Sequence, residues 1–305
     1  MIYLDSFRFP TFEQEDDYLA GYFAANPYSM NVLYPFKVLS VKGLHSLDFS
    51  EITILYGGNG SGKSTALNAI SNVLGVARNS AYNKGDNEFY EEYLNMCDYQ
   101  ESESDDYMLD LKDKTSLITS DDIFKYMLNA RQNNSYIRAY RDETIEKWIT
   151  ERKGKVRHLN FETGEGLDEF NRFQRAKRQS CSEYVNEHLG AISQSYSNGE
   201  TGFMKFVESI TPNRLYILDE PENSLSCALQ MELAKYIEQS ARYFGCQFII
   251  ATHSPIIMAY PNACIYELDE NGYKEVLYEE TEHYQITKSF LEAPERMLRI
   301  LMDTD

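Results

Sequence analysis

The sequence predicts an α/β fold: a mostly parallel sheet with helices on both faces, antiparallel strands on its amino-terminal side, and a helical insertion. Three observations carry this prediction. The apolar run Ile52–Tyr56 ends in a glycine-rich loop that opens a helix-like run, Ala66–Leu74. The runs Leu215–Leu218 and Gln247–Ala251 are almost wholly apolar and flank a helical stretch, Ser226–Phe244. Strands without polar alternation are covered on both faces, and a strand–helix–strand unit closes a parallel pair. The polar clusters follow directly after these apolar runs. That is where parallel sheets bind ligands, at the carboxyl ends of their strands.

At 305 residues the chain could form one large domain or two, and it reads as a single domain over 1–305 with an acidic loop and helical insertion at 80–190. No apolar run approaches the roughly 20 residues of a membrane span. The amino terminus lacks the basic start and apolar stretch of a signal peptide. Cys97, Cys181, Cys227, Cys246 and Cys264 are scattered and odd in number, with no C-x-x-C pair. They fit a reduced, cytoplasmic setting without a disulfide framework or a zinc site. The net charge of −19 opposes general adhesion to nucleic acid or anionic lipid, though not a local basic groove. Any phosphate site must therefore be locally positive against the global field.

Residues Met1–Pro35 read as an aromatic, acidic lead-in that includes an edge strand. Phe36–Val41 reads as a second β-rich run, joined to Ile52–Tyr56 by the turn-rich KGLHSLDFSE. Asn79 to Asp122 carries the charge runs GDNEFYEEY and QESESDDYMLD and reads as solvated surface. A helical pattern starts at Asp122. From Arg131 to Arg178 the charge reverses, and Tyr136, Tyr140, Trp148, Phe161, Phe170 and Phe173 are interleaved with basic residues. This is read as a helical subdomain with inward aromatics. The same mixture would also suit a nucleic acid or an acidic partner face. The absence of sustained heptads argues against a long coiled-coil arm.

The chemistry concentrates in four stretches. The first fits G-x-x-x-x-G-K-[ST], with Gly57, Asn59, Gly60, Ser61, Gly62, Lys63, Ser64 and Thr65. Glycines let bare backbone approach a phosphate chain, and successive N–H groups and a helix amino terminus attract its charge. Lys63 supplies a cation for the β- and γ-phosphates, and the Ser64 hydroxyl suits Mg2+. The second is LYILDEPE, where an apolar strand delivers Asp219, suited to the metal shell, and Glu220, suited to polarising an attacking water. The third is YSNGETG, in which Ser197 and Gly199 precede a helix-like run and form another anion-seeking cap. The fourth is His253 in IIATHSP, which ends a strand beside that of Asp219 and can reach a γ-phosphate.

This order of motifs resembles the ABC-type ATPases, including the ATPase heads of SMC-like repair proteins. Gly57–Ser64 looks like Walker A, Ser197–Glu200 a shortened signature motif, Leu215–Glu220 Walker B, Glu222–Ser226 the D-loop and His253 the switch histidine. More closely, the chain is similar to small stand-alone bacterial ATPases filed under the AAA family. ATHSPIIMA, YEETEHYQI and FLEAPERML read like that group's closing segment. The resemblance covers Phe36–Ser80 and Gln194–Leu301 and is poor between them. It departs at the Q-loop, where Thr119-Ser120-Asp121-Asp122 stands, and at Asn198, where many relatives have glycine.

The resemblance implies a P-loop NTPase fold, ATP and Mg2+ as ligands, and catalysis by Glu220, His253 and Lys63. It also implies a homodimer with two ATP molecules at its interface, where Ser197 and Gly199 of one chain touch the phosphate held by Lys63 of the other. A protein partner, an effector or a separate nuclease, would read the switch. The residues alone do not separate a hydrolase driving a conformational cycle from an ATP-gated binding module or a phage-defence or DNA-processing subunit. A small-molecule kinase leaves Ser197, Gly199 and the Asp219–Glu220 pair unexplained, and the missing Q-loop disfavours a transporter motor.

Overall fold

A computed structural model describes residues 1–26, 33–76, 88–102, 110–153, 174, 177–178, 198–223, 225–269, 272–296 and 299, with backbone only at 88, 129–142 and 198–200. The chain divides into two compact units, Met1–Phe124 with Gly199–Asp305, and Lys125–Asn198.

In the first unit, β1 (Leu4–Arg8) leads into α1 (Phe12–Ala25). The sequence Thr11-Phe12-Glu13-Gln14 forms a capping box: Thr11 accepts from the Gln14 N–H, and Gln14 reaches back to the Thr11 N–H. A 3-10 turn, Ser40–Lys42, precedes β2 (Ser46–Asp48), and β3 (Ile52–Tyr56) runs into α2 (Lys63–Val73). Then come α3 (Glu88–Asn95), β4 (Asp98–Glu101), α4 (Leu111–Lys114), β5 (Thr115–Thr119) and α5 (Ser120–Lys153). After the second unit the chain returns with α6 (Asn198–Ser209), β6 (Leu215–Asp219), α7 (Cys227–Phe244) and β7 (Gln247–Ala251). It closes with α8 (Pro255–Met258), β8 (Cys264–Leu268), β9 (Tyr273–Val276) and α9 (Glu282–Glu292).

Two sheets result, a six-stranded one in the order β5-β6-β7-β3-β8-β9 and a three-stranded one in the order β2-β1-β4. The large sheet is parallel except for β9, and the small one is antiparallel. Every position of β3, β6 and β7 is buried. On one face Leu55, Ile217 and Ile249 share a core with Leu67 and Ile70 of α2 and with Phe7 of β1. On the other, Tyr216 stacks on Phe248 at 5.5 Å, and α7, packed on β7, brings Leu233, Ile237 and Ala241. The one-turn spacing of these three apolar residues sets the buried stripe of α7. Ser226 caps its start, and Gly245, at φ 63°, ends it in the left-handed conformation expected of a helix stop.

Three expectations change. The lead-in strand β1 is the centre of its sheet rather than an edge. Phe36–Val41 is a turn and a 3-10 segment, not a strand. The cause is Glu15, a buried carboxylate whose Oε2 accepts from the Lys37 N–H at 2.7 Å and the Ser40 hydroxyl at 2.5 Å, with Lys37 at φ 63°. These bonds hold the folded segment, in which Phe36 and Leu39 are both buried in the core. Thirdly, the acidic stretch before Asp122 is not only surface. Phe89, Tyr90 and Tyr93 are buried on α3, and β5 forms the edge of the large sheet.

In the second unit most of the described residues continue α5, where Lys147 pairs with Glu143 at 2.7 Å and Arg152 lies 4.8 Å over the Trp148 ring. Tyr136, Tyr140, Phe161, Phe170 and Phe173 lie outside the described side chains, so their inward packing stands as an expectation.

Candidate functional site

The strand register assembles the site. Asp219, the last residue of β6, pairs with Ala251 of β7, and Leu55 of β3 pairs with the same Ala251. The carboxyl ends of the three central strands therefore lie side by side, and the polar residues that follow each one meet there.

The loop after β3 is built for close backbone approach. Gly57, Gly60 and Gly62 have φ of 152°, 75° and 101°. A Cβ on Gly57 would stand 2.1 Å from the Leu268 carbonyl oxygen, and one on Gly62 would stand 2.8 Å from Leu39. Lys63 opens α2 and is buried. Its ammonium donates to the carbonyls of Gly57 at 2.8 Å and Gly58 at 3.1 Å and lies 3.4 Å from Ser61 Oγ. Burial pushes its pKa down, and the charges of Glu220, Asp219 and Glu222 oppose the shift. Lys42 adds a second cation, donating to the Ser61 carbonyl at 2.9 Å. Ser64 Oγ donates to Asp219 Oδ1 at 3.3 Å, and Thr65 accepts from Tyr34 at 3.4 Å.

After β6, Glu220 takes φ 50°, a strained value for a residue with a side chain. Its N–H donates to the Ala251 carbonyl at 2.8 Å, and Asn223 holds its Oε2 at 2.8 Å. Its other oxygen, Oε1, lies 3.5 Å from His253 Nε2. That nitrogen is buried without a hydrogen bond. Burial and then the Lys63 charge push the His253 pKa below the usual imidazole value, with Glu220 opposing. Glu222 accepts from the His253 N–H at 2.6 Å through Oε1, while Oε2 is buried without a partner; burial pushes its pKa up.

The structure thus brings Lys63, Ser64, Asp219, Glu220 and His253 together, with the loop from Gly57 to Thr65. Ser197 lies outside the described residues. Gly199 lies in the first turn of α6. At the expected Q-loop position, Thr119 ends β5 beside Asp219 and accepts from the Asp122 N–H at 3.2 Å, opening α5. Glu222 and Lys42 escaped the sequence reading as site residues. Glu222 had a signal in its place two residues after Glu220, whereas Lys42 had none.

The residues present fit a nucleoside triphosphate and a magnesium ion. A buried ammonium bonded only to neutral oxygens suits phosphate, and two oxygen donors 3.3 Å apart, Ser64 and Asp219, suit a cation that shares its shell with phosphate and water. Among the described residues no group of three or more His, Cys, Asp or Glu is placed to hold a metal by itself.

The chain is similar to several known proteins. The family model for the P-loop containing region of AAA domains matches residues 39–88, and that for the AAA ATPase domain matches residues 199–258. Among solved structures, the Pyrococcus furiosus Smc head domain bound to the C-terminal domain of ScpA is similar at 14% identity, over 97% of this chain and 100% of that one, with a TM-score of 0.40. The cbiO1 subunit of an ABC transporter complex from Clostridium perfringens is similar at 18% identity, over 85% and 93%, with a TM-score of 0.34. The SMC head domain from Thermotoga maritima is similar at 14% identity, over 90% and 98%, with a TM-score of 0.35. No curated protein matches. The two family models cover the glycine-rich loop with Lys63 and Ser64, and the stretch that holds Asp219, Glu220 and His253.

Proposed function

We propose that the chain hydrolyses ATP, and that ATP closes two copies of it head to tail. The observation that carries the reading is the meeting of Ser64 with Asp219 at 3.3 Å and of Glu220 with His253 at 3.5 Å around one glycine-rich loop. In this reading the loop N–H groups and Lys63 bind the phosphates, and Ser64 and Asp219 hold Mg2+. The ion supplies charge neutralisation at the phosphate oxygens. Glu220, fixed at one oxygen by Asn223, turns its other oxygen to the attacking water and takes its proton. His253, kept neutral by burial and Lys63, offers Nε2 as a hydrogen-bonding group to the γ-phosphate or that water.

A second copy would contribute Ser197 and Gly199, and closure would switch a partner protein such as an effector or nuclease. Two chains of charge −19 repel each other, so closure depends on ATP and on salt screening. The test is Glu220→Gln in ATP and Mg2+. Phosphate release is expected to fall about 1000-fold, within the range for a lost general base, while gel filtration shows a stable dimer. A monomeric elution in ATP would sink the closure, and undiminished hydrolysis would sink the role of Glu220.

A further inference from the structure

The turn that carries His253 is held from outside the sheet by the carboxyl-terminal segment. His283 Nδ1 lies 2.8 Å from the His253 carbonyl oxygen. A carbonyl only accepts, so Nδ1 carries the proton. The His283 N–H donates to Tyr56 Oη at 3.1 Å, and Tyr56 is the last residue of β3, directly before Gly57. The His283 ring packs 5.3 Å from Tyr56 and 5.9 Å from His253. Two residues beyond His253, the Pro255 carbonyl accepts from Tyr278 at 2.8 Å. Thr281, fully buried, fixes the segment by capping α9 and donating to the Tyr278 carbonyl at 2.7 Å.

The His253–Pro255 turn is therefore gripped at two carbonyls by residues 278–283 and at the His253 N–H by Glu222. Core formation does not account for the grip, since α9 itself has no buried residue. What the contacts fix is the peptide orientation at His253, which sets where Nε2 points relative to Glu220. They also tie the ends of β3 and β7, the strands that precede Lys63 and His253.

We infer that His283 is a positioning residue for hydrolysis, holding the His253 backbone so that its ring faces Glu220. This rests on the reading of Glu220 and His253 as the hydrolytic pair. The atom that matters is one donor nitrogen at the Nδ1 position. The amide nitrogen of Asn sits at the same remove from the backbone, and that of Gln one bond further out.

The experiment measures steady-state phosphate release by the full chain in ATP and Mg2+ for wild type, Glu220→Gln, His283→Ala, His283→Asn and His283→Gln. His283→Ala is expected to lower kcat about tenfold with KM within about twofold, the pattern of a contact that serves the transition state. His283→Asn restores kcat to within about threefold of wild type, and His283→Gln does not. Equal rates for the Asn and Gln variants, or an unchanged kcat in His283→Ala, would overturn the inference. If His283→Ala does not fold, the Asn–Gln pair decides it. A slow Glu220→Gln variant beside a flat His283 series overturns the inference alone. No difference between wild type and Glu220→Gln overturns the hydrolytic reading and this inference with it.

Discussion

The two ends of β7 treat buried polar groups in opposite ways. At the amino end Gln247 is fully buried, and its amide is used completely. Its oxygen accepts from the N–H groups of Tyr3 and Leu4, at 2.8 and 3.0 Å, and its nitrogen donates to the carbonyls of Leu4 and Ser50, at 2.9 and 3.1 Å. At the carboxyl end His253 Nε2 and Glu222 Oε2 are buried and unpartnered, and Lys63 is a buried cation resting on carbonyls. Unsatisfied buried polar atoms destabilise a fold. Satisfaction at one end therefore marks a structural joint between the two sheets, and its lack at the other is what the proposed phosphate-binding role of that end calls for.

The largest effect that would break this contrast lies at the satisfied end. Gln247→Leu strands four backbone groups, and chemical denaturation is expected to show a loss of about 4 kcal/mol. The kcat of the folded fraction is expected to be unchanged. A loss below about 1 kcal/mol would mean the joint is not structural. At the other end, Lys63→Ala is expected to weaken ATP binding about 100-fold by calorimetry. The variant is expected to melt no lower than wild type, because it removes a desolvated charge. A lower melting temperature with unchanged affinity would reverse the assignment of the two ends.

The smallest effect is on pH. A His253 pKa held below its ordinary value leaves the ring neutral from pH 7 upward. Hydrolysis is expected to be level between about pH 7 and 8 and to fall only on the acid side, below the ordinary imidazole pKa of about 6.5. Lowering the folded-state pKa of a base gives stability that is present above the unfolded value and lost as pH falls through the folded one. Glu222 and Glu15 work in the reverse sense. Their carboxyl pKa values are raised, chiefly by burial, so their contribution is greatest at low pH and lost as pH rises through the folded value. A kcat profile that falls at pH 7 would place a protonated histidine in the site.

The chemistry-bearing strands were legible because each signal is local. Ile52–Thr65, Leu215–Glu220 and Gln247–His253 each hold an apolar strand and its polar end within a few residues. The small sheet was harder, since β4 is exposed throughout and its pairing with β1 spans most of 100 residues. The buried face of α3 could have been read from the Phe89–Tyr93 spacing, but the surrounding acids masked it. No local pattern shows that Glu15 reshapes Phe36–Val41, or that Tyr56 and His283, 227 positions apart, meet. Such contacts follow from tertiary packing, not from periodicity.

The left-handed backbone at Glu220 sets heat resistance and turnover against each other at one codon. Glycine there would relax a conformation that costs about 1 kcal/mol or more, and would remove the carboxylate assigned to the water. A population of variants selected for surviving heat would drift toward glycine at this position, while one selected for turnover would hold glutamate and bear the strain.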